Sequence, residues 1–148
     1  MRNIVIRFDM RRSPLCIDTA SDRYSTALEM ACWADNNTVD VIGLSEHHNT
    51  HDGFLSAPLQ LAGMMIARTQ RVRISVSALL VPLYDPIRLA EDITLIDQVA
   101  SGRFSVTCGL GYRESEYNMF GINWSERGEV FNQKLDILLQ ALKGEKYY

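Results

Sequence analysis

"VRISVSALLVPLYDPIRLAEDITLIDQVASGRFSVTC", residues 72–108, holds two periods in one run. Val72, Ile74, Val76 and Ala78 alternate with Arg73, Ser75 and Ser77, and the run then turns wholly apolar to Val81. That pattern predicts a buried strand over 72–81. Asp85–Pro86 offers a helix cap followed by proline in the first turn, where a missing N–H is harmless. Leu89, Ile93, Ile96 and Ala100 then fall on one helical face, and Gly102 closes the helix at C′. Residues 103–108 are β-rich again. Strand, helix and strand in this order predict a parallel pair joined by a right-handed crossover.

The same alternation extends outward. "NIVIRF" (3–8) and "VDVIGL" (39–44) read as strands. Between them, Tyr24, Ala27, Leu28, Ala31 and Cys32 give one helical face over 21–35. Ser56 offers a cap, with Pro58 in the first turn and Leu59, Ala62 and Ile66 following at helical spacing. Ser125 offers a cap for a last helix bearing Phe131, Leu135, Leu138 and Leu142, with Gly144 at its end. The order is β-α-β-α-β-α-β-loop-α, an α/β chain with a parallel sheet. Two architectures fit: an open doubly wound sheet, or part of a (β/α)8 barrel, which takes ~250 residues. The 148 residues supply four β/α units, about half a barrel. Open edges at Val5 and Val106 need covering, by a missing remainder of the chain or by a partner. The end at Tyr147–Tyr148 falls before any fifth strand.

Composition narrows the function classes. Net charge is −3, with positive residues scattered, which argues against a nucleic-acid or anionic-membrane surface. No apolar run approaches the ~18 residues of a membrane span, and the start "MRNIVIRFDMRR" does not read as a signal peptide. Cys16, Cys32 and Cys108 are widely spaced and odd in number, which suits a reducing, cytoplasmic compartment.

In parallel β/α folds, ligands collect where strands end. Every histidine lies in "GLSEHHNTHDGF" (43–54), directly after the second strand. A metal site lacks support: the HExxH order is absent and no fourth histidine exists to complete a ligand set. One imidazole doing acid–base work needs less, and His47 stands closest to the strand end. A polar loop whose imidazoles bond to backbone is the plainer alternative, and His51 with Asp52 suits a turn. Ser77–Ala78 are small residues at the third strand's end, where a flat ring could approach the backbone, or where strand and helix merely pack tightly. "CGLGYRESEY" (108–117) carries Gly109 and Gly111 in a GxG pair without the rest of a dinucleotide fingerprint. Glu114 and Glu116 beside it disfavour a bare phosphate site.

Together, "VDVIGLSEHH", "VRISVSALLVPLYDPIRLAEDITLIDQVASGRF" and "GLGYRESEYNMFG" resemble the bacterial luciferase-like family of flavin-dependent monooxygenases and oxidoreductases. The resemblance is close over residues 39–121 and implies the N-terminal half, residues 1–148, of a (β/α)8 barrel. It implies a flavin, FMN or alternatively a deazaflavin, and a small organic substrate, with chemistry through O₂ or hydride exchange. His47 matches the histidine beside the reacting flavin edge, His48 its neighbour, and Glu116 an acidic position after strand four. Ser77–Ala78 matches a non-prolyl cis peptide against the flavin ring, and Gly109 and Gly111 fall in the matching flavin-side loop. Leu110 stands where luciferase itself offers an arginine to the flavin phosphate. Such a chain is expected to need a second barrel half or a homodimeric partner. A non-catalytic half-barrel that self-associates through its edge strands remains the alternative, and a metal-dependent hydrolase is a third reading.

Overall fold

The computed structural model describes residues 3–144; the end at Tyr147–Tyr148 lies outside the described residues. Four strands form one sheet: β1 (Val5–Phe8), β2 (Val41–Leu44), β3 (Arg73–Leu80) and β4 (Phe104–Gly109). The helices are α1 (Ala20–Asp35), α2 (Pro58–Ile66), α3 (Pro86–Ala100), α4 (Glu114–Met119) and α5 (Arg127–Leu142). Every strand pairing is parallel and the spatial order is β1-β2-β3-β4.

That order argues against the doubly wound alternative. A doubly wound sheet reverses its strand order part-way to clothe both faces. Here the order never reverses, so crossovers of one hand put the helices on one face. The core agrees. Ile42, Leu44, Ile74 and Val76 are fully buried in one cluster with Ala27 and Ala31 of α1, Leu59, Ala62 and Met65 of α2, and Leu89 of α3. Their neighbours along the strands point the other way by the two-residue period. They are Arg7, Gly43, Ser75, Ser77, Ser105 and Thr107, a polar, small-residue face.

Local rules explain most element ends. Asp85 caps α3, its carboxylate accepting from the N–H groups of Ile87 (3.0 Å) and Arg88 (2.9 Å). Ser101 and then Gly102 take left-handed backbone to end that helix. Two caps differ from expectation, and a third, at α1, had no expectation to meet. Thr19 starts α1 in a reciprocal capping box with Asp22. Ala57, not Ser56, precedes α2, and no side chain caps it. Ser125 sits inside a short 3-10 turn capped by Asn123, and α5 follows it. The chain from Glu114 to Met119, expected as loop, forms α4. Its six residues are too few to show a helical period.

The N-terminal rim of the sheet is stitched by two side chains. Asp35, at the end of α1, accepts from the N–H groups of Gln70 (2.8 Å), Arg71 (2.6 Å) and Val72 (2.7 Å). Burial opposes its charge, but these donors and the Arg71 cation hold its carboxyl below the usual range. Arg71 itself donates to the carbonyls of Ala34, Asp35, Asn37 and Val39. On the other side, Lys134 of α5 donates to the carbonyls of Pro82 (2.6 Å) and Tyr84 (2.8 Å), which ties α5 to the turn after β3.

Candidate active site

The expected site residues converge where the strands end. β2 delivers Glu46, His47 and His48 just past Leu44, and α4 delivers Glu116 from beyond β4. Glu116 is 1% exposed. Its Oε1 receives the His48 backbone N–H (2.8 Å) and lies 2.9 Å from His47 Nδ1. Facing a carboxylate, which accepts when ionised, Nδ1 is the nitrogen placed to donate, and in the neutral imidazole Nε2 then keeps its lone pair. Nε2 faces the Tyr112 hydroxyl at 3.2 Å. Phe54 (4.7 Å) and Tyr112 (5.3 Å) hold the ring edge-on from two sides. Glu116 Oε2 is buried without a hydrogen-bond partner.

His48 turns away into a second carboxylate. Its Nε2 lies 2.9 Å from Glu46 Oε1, which also receives the Tyr84 hydroxyl, while Glu46 Oε2 receives the Leu80 N–H at 2.7 Å. Burial first, then the facing Glu46 charge, push the Tyr84 hydroxyl well above the ordinary phenol range, which keeps it a donor. Glu46 thus bolts the histidine loop to the end of β3. His48 is an anchored support here, with its ring against Phe120 at 4.9 Å. His51 is exposed in a turn and does not join the cluster. Among the described residues no three His, Cys, Asp or Glu side chains are grouped to hold a metal ion.

The opposite wall comes from β3 and β4. The Ser77–Ala78 peptide is cis, and the β3–β4 register shifts between Ser77 and Leu79. Gly109 packs straight onto that irregularity: a Cβ there would lie 2.5 Å from the Ala78 Cβ. Its lack of a side chain is therefore required by strand packing. Gly111 adopts a φ of +80°, where glycine is favoured, and turns the chain over Leu80. Ser77, Ala78, Gly109, Gly111 and His47 line one cavity of about 410 Å³, within the size range of small-molecule sites. His48 is not among its lining residues. Small residues on one wall and an imidazole on the other suit a flat ring. Sequence reasoning missed Tyr84, Tyr112 and Phe54 as partners of this cluster; aromatic residues in strand-end loops were the available signal.

An oriented imidazole and a small-residue wall thus meet at the strand ends of a parallel β/α fold, where such folds collect ligands. The chain belongs to the luciferase-like monooxygenase family, whose family model matches residues 6–148. It is 30% identical over 103 residues to the alkanal monooxygenase alpha chain of the Kryptophanaron alfredi symbiont, covering 70% of this chain and 29% of that protein. The chain spans about a third of the length of the curated relatives it matches. Its fold matches the oxygenating constituent of 3,6-diketocamphane monooxygenase from Pseudomonas putida, solved with FMN. The TM-score is 0.88 at 22% identity, over 98% of this chain and 40% of that one. An F420-dependent secondary alcohol dehydrogenase matches with a TM-score of 0.72 at 21% identity, over 93% of this chain and 41% of that one.

Proposed function

We propose that this chain is the first half of a (β/α)8 barrel and carries the proton-handling part of a flavin-dependent monooxygenase or oxidoreductase site. One observation carries the reading: His47, oriented by buried Glu116, shares a cavity with the Ser77–Ala78 wall. Ser77, Ala78, Gly109 and Gly111 would hold the flavin ring, and His47 would stand at its edge with His48 behind it. The flavin, when bound, supplies the redox chemistry, either O₂ activation or hydride exchange with a small organic substrate.

The chain's own residues then have defined tasks. Glu116 fixes the Nδ1–H tautomer, so Nε2 can take a proton from a bound oxygen and return it. Glu46, Tyr84 and the Leu80 N–H fix the loop that carries His47. Phe54 and Tyr112 screen the imidazole from water. FMN suits the likeness to monooxygenases and a deazaflavin the likeness to the F420-dependent enzyme. The free thiols of Cys16, Cys32 and Cys108 suit a cytoplasmic setting. Among the described residues β1 and β4 are the edge strands, and a C-terminal half-barrel or a second copy would cover them.

The test is titration with FMN and with a deazaflavin, reading fluorescence. It is run on the chain alone and with the C-terminal half of a luciferase-like relative supplied in trans. Saturable quenching in the complemented sample supports the reading, and His47→Asn should then cost about 10²–10⁴-fold in turnover. Binding of neither flavin under either condition sinks it. A stable, colourless dimer that ignores flavin would favour the self-associating module.

A further inference from the structure

Arg7 is a charge that the reading above does not use. It lies on the helix-free face of β1. Its stem passes over Gly43, its register partner on β2; a Cβ there would stand at ordinary contact, 3.4 Å from Arg7 Cγ. The guanidinium thereby reaches Ser45 Oγ at 3.3 Å, two residues before His47. Arg7, His47, Ser77 and Ala78 line the same cavity.

No carboxylate answers this cation among the described residues. Arg11, its neighbour at the mouth, is taken by Asp9 at 2.8 Å. The acid in the shared cavity, Glu46, already has both oxygens engaged by Tyr84, His48 and the Leu80 N–H. Asp9 and Asp52 line an adjoining cavity that Arg7, Ser45 and His47 also border, but Asp9 is paired with Arg11 and neither acid forms an ion pair with Arg7. A planar guanidinium with free N–H donors at the edge of a ligand cavity is built to receive two oxygens of a delocalised anion.

We infer that Arg7 is the anchor for an anionic oxygen group, a carboxylate or its enolate-like equivalent, on the organic substrate that meets His47. The inference rests on the His47 cavity being the reaction site, and it narrows the substrate class to acids.

The test uses this chain without flavin, so its failure and the failure of the flavin reading are separable. Benzoate, its neutral counterpart benzamide, and inorganic phosphate are titrated in turn. Amide NMR shifts of Ser45, His47 and Ser77 give the readout. Benzoate should shift these signals saturably and benzamide should not. Arg7→Gln should weaken benzoate about tenfold or more, the loss of a charged hydrogen-bond pair. Arg7→Lys should fall between, having the charge but not the fork. Unchanged amide signals away from Ser45, His47 and Ser77 show that each Arg7 variant has kept the fold. Equal shifts with benzoate and benzamide, or an unchanged benzoate affinity in Arg7→Gln, overturn the inference. Tighter binding of phosphate than of benzoate overturns the assignment to substrate in favour of the flavin's own phosphate.

Discussion

Gly109→Ala puts the packing of the site wall to a direct test. The added Cβ would stand 2.5 Å from the Ala78 Cβ, against an optimum of about 3.5–4.0 Å between carbons. Relief requires β4 to move from β3 by about 1 Å, in a sheet region where both strands are hydrogen-bonded. Overpacking of this kind costs about 1–3 kcal/mol. For a chain of this length that is a fall in Tm of about 2–4 °C per kcal/mol. Urea and thermal unfolding of purified variants measure it. The companion change, Ala78→Gly, removes the struck atom; the nearest remaining atoms are Leu79 O at 3.4 Å and Ala78 Cα at 3.6 Å. Alone, Ala78→Gly should cost about 0.4–1 kcal/mol through unfolded-chain entropy. Combined, the two should show a favourable coupling of about 1 kcal/mol or more. A Gly109→Ala protein as stable as the parent, or a double variant with purely additive losses, would refute the reasoning. Gly109 would then be free to serve a ligand alone.

Three further outcomes follow from the hydrogen bonds described. Glu116→Ala strands the His48 N–H and the His47 Nδ1–H, costing about 3 kcal/mol; 15N NMR of His47 should show Nδ1–H in the parent, and the same tautomer persisting in the variant would remove Glu116's orienting role. Asp35→Ala should cost about 2–3 kcal/mol, because three N–H donors lose a charged acceptor. Since folding lowers the Asp35 pKa from 3.8, its stabilisation is present above that value and lost as pH falls through the folded value. Urea midpoints should therefore drop more steeply below about pH 4 in the parent than in the variant. Asp85→Ala removes the α3 cap and should lower stability by about 1 kcal/mol; no change in thermal unfolding would show that Pro86 alone sets that helix start.

The parallel sheet and the four long helices were legible because each obeys one period over enough residues to be counted. Val72 to Val81 and Leu89 to Ala100 needed no partner to be read. His47 was legible from its place after a strand, and Glu116 from the likeness of its loop. What escaped was set by distance in the chain. Glu46 is fixed by Tyr84 and the Leu80 N–H, 38 and 34 residues away, and no local pattern announces such a bond. Gly109 looked like half of a phosphate loop, whereas its space is claimed by Ala78 from the neighbouring strand. Ser56 and Ser125 were plausible caps by type, but the backbone turned one residue later at Ala57 and began with a 3-10 turn at Trp124.

The one-sided sheet has a consequence for how such a molecule comes into being. Its helix-clad face completes an apolar core from these four units alone. Its bare face presents serine, threonine, glycine and arginine, which water tolerates. These four units can therefore consolidate around their own core without help from the polar face. The scaffold that aims Arg7 and His47 is thus complete in this chain, whatever lies over them.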